Sequence, residues 1–342
     1  MPIKKKSQVA AQNAELSQSD SLPRSGSKKS FKTPKALDPN KRYLSFNIAG
    51  ARAFVDFVNP RDDEYLSVAV SFLKNRFHTK HARAACEVSF DETFIFEFEG
   101  EHGSAKFDSA LMMKLNQPVH LTILRHRRNE KAVVLGTKNV DWRSLLYCNS
   151  VEINAEIQPV DMTHKGSLGV ILLNLDLIPN LLKSELLNED QVVKQQELEK
   201  KFDADTLQKF LEYSNQWWSE FKEVRPSHKQ RLVKIFAETD DREASVYKPT
   251  VSLIQPMFAD RILDSPLHAA RFVSLIPFQR LEAPGAEKVE VWHSMQAFLA
   301  RGCGDSEDHA VLLCNLLIGF GLDAYVCVGT NGEGSHAWVL QR

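Results

Sequence analysis

The sequence of 342 residues lacks a hydrophobic run long enough to cross a membrane. Its most apolar stretch, VLLCNLLIGFG from Val311, has about half the length of a spanning helix and contains Asn315. The N-terminus MPIKKKSQVAAQ has lysines but no apolar segment behind them, which a secretory signal would require. We therefore expect no transmembrane segment and a location in the cytoplasm.

An excess of charge of either sign is also missing, because the formal net charge is -1. This balance gives no argument for a nucleic-acid partner, so any electrostatic partner must meet a local patch. Cysteine is scarce and odd in number: Cys86, Cys148, Cys303, Cys314 and Cys327. Five thiols spread over a chain of this length indicate reduced cysteines rather than a disulfide framework.

Residues 1–40 have few apolar side chains, and Phe31 is their one aromatic residue. They carry eight Lys or Arg against three Asp or Glu. Such a segment buries too little apolar surface to offset the entropy lost on ordering. We predict a disordered basic tail here.

Residues 41–180 alternate between apolar and polar side chains, as in RYLSFNIAG and LSVAVSFLK. The period of two, the abundance of Val, Ile, Phe and Thr, and the intervening turn residues predict seven or eight strands with almost no helix. This pattern is typical of an all-β sandwich, which we expect to end near Pro179.

The segment 181–225 contains neither glycine nor proline and is rich in Glu, Lys, Gln and Leu, which predicts a helical linker. Asp205 followed by Gln208 resembles a helix-capping pair. We therefore expect two helices in this linker, over residues 183–202 and 206–224.

Two sets of side chains form a candidate partner surface. Trp217 and Trp218 are adjacent and are not expected to share one helix face, so one is expected in the domain core and the other against the sandwich or a partner; the alternative is that both attach the helix to its own chain. The basic members are Lys74, Arg76, Lys80, Arg127 and Arg128. If they lie on one face, they could contact acidic lipid headgroups or an acidic protein. The alternative is that these charges protect the edges of strands.

Residues 226–342 predict a separate α+β domain. Ser265 and Pro266 form a helix start, and further helices are expected in VEVWHSMQAFLA and from Ser306. The strands DAYVCVG and HAWVL follow the last helix. The whole chain is thus predicted to be a multidomain protein.

The stretch GCGDSEDHAVLLCNLLIGFG, residues 302–321, has the form of a catalytic helix start. A cysteine at a helix N-terminus has a lowered pKa, and acyl transfer also needs a histidine base and a group that orients it. Here the helix opens with Ser306, and His336 stands on a following strand with Trp338.

The same residues resemble a known family. GDSEDHAVLLCNLLIGFGLDAYVCVGT followed by HAWV resembles the transglutaminase-like, papain-like domain of the family of the centrosomal protein of 76 kDa, whose signature reads Gly-Asp-Cys-Glu-Asp-His-Ala. QWWSEFKEVRPSHKQRLVKIFA (216–237) and RILDSPLHAARFV (261–273) resemble the same family, and the sandwich takes the place of its C2-type domain. The resemblance covers residues 38–340. It implies a location at the centriole or basal body, with centriolar or ciliary partners and a role in centriole duplication or ciliary assembly.

If the family's site residues are carried over by the resemblance, Ser306 takes the position of the nucleophile and His336 that of the histidine. The acidic partner would follow Arg342, where the sequence ends. The domain therefore looks truncated and degenerate. A serine needs a well-oriented base, so we interpret Ser306 as a helix cap and Cys303 as an exposed loop thiol. The prediction is a non-enzymatic scaffold. The alternatives are an acyl-transfer enzyme that uses Cys303 or Ser306 with His336, and a lipid-binding adaptor acting through the sandwich.

No metal or cofactor is expected. Asp62 and Asp63 could begin a calcium site, but the best candidate for the opposite loop, RHRRNEK (residues 125–131), is basic and would repel the ion. His309 lies among acidic residues whose spacing matches no metal signature, and acids at a helix start ordinarily stabilise the helix.

Overall fold

The computed structural model describes residues 37–38, 40–98, 108–160, 166–231, 233–241, 247–259, 262–279, 291–332 and 334–342. The predicted basic tail lies almost entirely outside these ranges. Residues 39–342 form one unit by their contacts, so the sandwich and the C-terminal elements are parts of one body.

The N-terminal half is a sandwich of antiparallel strands. The strands β1 to β9 of the described chain are Tyr43–Arg52, Glu64–Phe72, Asn75–His78, Ala82–Arg83, Val88–Glu97, Val119–Arg127, Val133–Val140, Ser150–Pro159 and Gly169–Ile178. They follow the order β3-β2-β6-β7-β8-β9-β1-β5, with β4 on β2. Alternate apolar residues of the strands, such as Phe46 and Phe72, are fully buried, and so is Trp142 after β7. The predicted sandwich is confirmed, with nine strands rather than the seven or eight expected.

Three helices accompany the sandwich: α1 (Ser109–Met113), α2 (Leu145–Cys148) and α3 (Glu189–Val224). The prediction of two linker helices is wrong, because α3 is continuous over 36 residues. Its true cap is Asn188, which forms a capping box with Gln191. A possible capping pair such as Asp205 and Gln208 does not divide a helix in two when no glycine, proline or chain reversal ends the first part.

The C-terminal half contains β10 to β14 and α4 to α6. The strands are Phe236–Thr239, Tyr247–Pro249, Val291–Trp292, Ala324–Asn331 and Gly334–Gln341, and the helices are Pro266–Leu275, Met295–Arg301 and Ser306–Gly319. The predicted start of α4 is confirmed, because the Ser265 side chain accepts a hydrogen bond from the backbone of His268. VEVWHSMQAFLA is only partly helical, since Ser294 caps α5 and leaves Val291–Trp292 as a strand. The core of this half is apolar and surrounds α6.

The two halves share a buried apolar contact. Ala69, Leu124 and Val134 lie on β2, β6 and β7 and cluster with Ala300 of α5. The side chains of Ala69, Leu124 and Val134 are at most 9% exposed. The outer face of this sheet is therefore covered by the C-terminal half, although the sequence predicted a separate domain there.

Polar side chains complete the same junction. The Asp240 carboxylate accepts hydrogen bonds from the backbone N–H and the hydroxyl of Ser294, both at 2.7 Å. The Asp240 carbonyl accepts from the Thr137 hydroxyl of β7 at 2.9 Å. His120 Nε2 of β6 lies 3.4 Å from the Ser294 oxygen. Burial holds the pKa of His120 below its ordinary value against the opposing effect of Asp240, so the neutral ring is favoured between the halves.

Candidate active site at the start of α6

The first turn of α6 is capped by acidic residues. Asp305 is the N-cap and accepts from the backbone N–H of Asp308, whose carboxylate in turn accepts from the backbone N–H of Asp305. Ser306 is the first helical residue, and its hydroxyl donates to the Glu307 carboxylate at 2.8 Å. The interpretation of Ser306 as the cap is therefore wrong, because the carboxylate before it takes that position.

Residues 276–279 cover the turn before α6. The backbone N–H of Gln279 donates to the Gly304 carbonyl at 2.7 Å. The Cys303 thiol donates to the Gln279 side-chain oxygen at 3.1 Å and is 2% exposed. The expectation of an exposed loop thiol is wrong, since the segment after α4 packs over this cysteine.

His336 lies on β14, as predicted, and its ring stacks on Trp338 with centroids 6.1 Å apart. Opposed residues of an antiparallel pair share a face, and Val326 and Val339 are opposed. These two valines pack against α6 residues such as Leu317. His336 belongs to the alternate set and therefore lies on the hairpin face opposite to α6. Among the described residues, no hydrogen bond joins His336 to Ser306 or Cys303.

A buried ion pair that sequence reasoning missed lies beside the cap. His293 Nδ1 is 3.2 Å from both carboxylate oxygens of Asp308, and the two side chains are 2% and 1% exposed. Burial lowers the pKa of His293, but the charge and hydrogen bond of Asp308 outweigh it, and the pKa lies above the ordinary value. No local pattern could have identified the pair, because His293 stands in a segment that we predicted to be helical.

The cap carboxylate is itself perturbed. Burial raises the pKa of Asp305 to about 7, and the nearby carboxylates of Asp308 and Glu307 add to the effect. Three acidic side chains within one helical turn cannot all ionise without mutual repulsion. The start of α6 therefore binds a proton near neutral pH.

We expect the free energy of unfolding to fall as the pH rises from 5 to 8. Between the ordinary pKa of an aspartate and about 7, the folded chain holds a proton on Asp305 that the unfolded chain releases, so stability declines as the pH rises. The raised pKa of His293 acts in the same direction, because the stabilisation from its ion pair is present below the unfolded pKa and lost as the pH rises through the folded one. Urea unfolding at several pH values measures the slope.

The control is Asp305→Asn, which keeps a good N-cap but cannot ionise. Its stability should depend less on pH and should equal or exceed that of the wild type above pH 7. An unchanged slope in this variant would show that Asp305 is not the titrating group.

His309 and the acidic pair of the sandwich do not face a common centre. The ring nitrogens of His309 lie 2.5 Å and 3.0 Å from the backbone oxygens of Asp305 and Ile276. Asp62 pairs with Arg83 at 2.7 Å. Within the described ranges, no group of three or more His, Cys, Asp or Glu side chains could hold a metal ion. No helix there is long and apolar enough to span a membrane.

The basic residues of the candidate partner surface do not form one patch. The set comprised Lys74, Arg76, Lys80, Arg127 and Arg128. Arg76 lies opposite Ser71 at the end of β2, whereas Arg127 lies opposite Glu64 at its beginning. Seven residues of strand separate them, or about 23 Å. Arg127 also pairs with the buried Glu64 at 2.7 Å, so its charge is already balanced.

The tryptophan pair lies near the end of α3. Trp217 and Trp218 both stack on Phe221, with centroids 5.6 Å and 5.7 Å from its ring. The expectation that they cannot share a face is wrong in this respect, because Phe221 lies four and three residues after them and both rings reach it. Trp217 remains 43% exposed.

Two domain families match the chain. The family described as the CEP76 C2 domain matches residues 35–183, and the family described as the CEP76 peptidase-like domain matches residues 290–342. The chain is 36% identical over 317 residues to the centrosomal protein of 76 kDa of Xenopus laevis, covering 89% of this chain and 47% of that protein. It is 37% identical over 313 residues to that of Danio rerio, covering 88% and 46%. The chain thus spans about half the length of these relatives.

A likeness to solved structures is found for the sandwich. A C2 domain of plant extended synaptotagmin 1 aligns with 43% of this chain and 100% of that chain, at 11% identity and a TM-score of 0.31.

Proposed function

Because the chain belongs to the family of the centrosomal protein of 76 kDa, with a C2 domain followed by a peptidase-like domain, we propose that it is a non-enzymatic scaffold of the centriole or basal body. The scaffold acts by contacts with centriolar or ciliary proteins in the control of centriole duplication or ciliary assembly. The location is carried over from the names of the relatives. Within the peptidase-like domain we further propose a degenerate transglutaminase-like arrangement.

The proposal that the domain is not catalytic rests on the separation of Ser306 from His336. Acyl transfer needs a nucleophile hydrogen-bonded to its base, with a third group behind the base. The Ser306 hydroxyl instead donates to Glu307, and His336 lies on the hairpin face opposite to α6. A hydroxyl cannot be activated by the helix N-terminus alone, because its pKa lies far above that of a thiol.

The alternative nucleophile Cys303 is also unfavourable. Its side chain is buried, and its thiol donates to Gln279 rather than to a histidine. A thiolate nucleophile should be partly exposed in an electropositive environment. Here the neighbouring turn carries the side chains of Asp305, Glu307 and Asp308, so the surroundings of Cys303 are acidic rather than electropositive.

The lipid-binding alternative is weakened by the two outer faces of the sandwich. One is covered by the C-terminal half at Ala69, Leu124 and Val134. On the other face, β8 and β9 turn their core residues inward and direct acidic side chains outward. These are Glu152, Glu156 and Asp176. Carboxylates repel an anionic membrane surface.

Fluorescence localisation in a dividing, ciliated cell tests the proposal. We expect the tagged chain to coincide with a centriole marker. A matched variant with Ser306→Ala and His336→Ala should localise equally and support the same centriole number or ciliation, because no chemistry is involved. A diffuse or vesicular signal for the wild type would argue against the scaffold, and loss of the cellular effect in a correctly localised variant would reopen the enzyme hypothesis.

A further inference from the structure

Helix α3 carries an apolar stripe that faces solvent. The exposed fractions are 64% for Leu198, 70% for Phe202, 67% for Tyr213 and 75% for Val224. At 3.6 residues per turn, these positions fall within about 80° of the helix surface. Phe202, Tyr213 and Val224 repeat every eleven residues, which is close to three complete turns. The stripe therefore runs straight along about 39 Å of the helix.

This stripe is not the face by which α3 packs on its own chain. The contact with the sandwich is made by Val192, which is 1% exposed, and by Glu199, which pairs with Arg143 at 2.7 Å. Further along, the half-buried face is marked by Ser214 and Phe221. Val192, Glu199, Ser214 and Phe221 lie roughly 50–110° around the helix from the line of Phe202 and Tyr213. A solvated helix has no need of a second apolar face, so the stripe indicates an interaction site.

The charges beside the stripe indicate the charge that a partner must carry. Four exposed carboxylates lie on or beside the stripe: Asp205, Glu212, Glu220 and Glu223. Lys209 lies within the stripe and Lys201 beside it, so acidic side chains outnumber basic ones there, and Lys222 lies against Trp218 on another side of the helix. A straight apolar row suits a second helix, which inserts its own apolar side chains along the row.

We propose that the stripe is the docking site for an amphipathic helix of another protein whose apolar face is flanked by lysine or arginine. This inference rests on the proposed scaffold function and gives it a contact surface. A second copy of α3 is a poor occupant, because pairing would bring the four carboxylates of one copy close to the four of the other. An anionic bilayer is disfavoured for the same reason.

The test uses the full chain and two synthetic helical peptides with the same leucine positions, one with lysine and one with glutamate on the polar face. Isothermal titration calorimetry should show the leucine–lysine peptide binding at least about tenfold more tightly than the leucine–glutamate peptide. The variant Phe202→Gln, Tyr213→Gln and Val224→Gln should weaken that binding by at least about tenfold. Because all three side chains are largely exposed, circular dichroism should show an unchanged fold.

The matched control is Ala204→Gln with Asn215→Gln, two exposed positions on the opposite side of α3, which should bind like the wild type. A charge variant, Asp205→Asn with Glu212→Gln and Glu223→Gln, should remove the preference between the peptides. Equal binding of the lysine peptide by the wild type and the stripe variant would overturn the proposal. So would a concentration-dependent dimer, or binding to anionic vesicles, that the stripe variant loses.

These results are separable from the proposed function. A chain that binds the lysine peptide through the stripe but is absent from the centriole disproves the location and leaves the docking site. A centriolar chain whose stripe variant binds the peptide unchanged disproves the docking site alone.

Discussion

Replacing Asp308 by alanine is expected to lower the free energy of unfolding by about 3–5 kcal/mol, the usual cost of removing one partner of a buried ion pair. Its carboxylate accepts from the ring and the backbone N–H of His293, and it forms the second half of the cap with Asp305. Both side chains are almost fully buried. The alanine variant leaves an imidazole without its partner in a site that water does not reach.

Urea unfolding at pH 6 measures the loss, with Glu197→Ala as the control. Glu197 is an exposed acid on α3, and its removal should change stability by less than about 0.5 kcal/mol. The double variant with His293→Ala should be less destabilised than the sum of the single variants, because the pair acts as a unit. A loss of under about 1 kcal/mol in Asp308→Ala would mean that the pair contributes little to the fold.

Asp240→Ala is expected to cost about 3 kcal/mol and to loosen the junction between the two halves. The variant removes the acceptor of two hydrogen bonds from Ser294, and each buried donor left without a partner costs about 1–3 kcal/mol. Asp240 is 1% exposed, so water cannot replace the carboxylate without opening the junction.

Thermal unfolding and limited proteolysis measure both effects. Asp240→Asn retains one oxygen acceptor and should lose about half as much stability. The exposed Asp63→Ala should behave like the wild type. If proteolysis cuts Asp240→Ala no faster than the control between β9 and β10, the junction does not depend on this carboxylate.

Local patterns were sufficient for the elements whose stability is decided within a few residues. The period of two predicted the sandwich because alternate residues such as Phe46 are buried between its layers, and Ser265 with Pro266 predicted the start of α4 because capping is a local interaction. The resemblance to the family of the centrosomal protein of 76 kDa, drawn from motifs around Ser306, is confirmed by the domain matches.

Contacts between distant residues explain most of what could not be predicted. His293 meets Asp308 fifteen residues away, and Asp240 meets Thr137 across the two halves. No pattern within one segment encodes such pairs. The cap was misassigned between neighbours, because Asp305 and Ser306 are both good N-cap residues and only the backbone conformation distinguishes them.

The anchoring of α3 also determines where its far end points. The helix is about 54 Å long, and side-chain contacts with the sandwich are concentrated in its first third, around Val192, Gln196 and Glu199. The remaining two thirds of the helix form an arm of about 36 Å, so a tilt of about 10° at the anchor moves its tip by about 6 Å. Arg143, which is held by Asp141 and Glu199, therefore helps to set the direction in which the far end of α3 points. A change at this single guanidinium would redirect a bound partner without touching the surface that binds it.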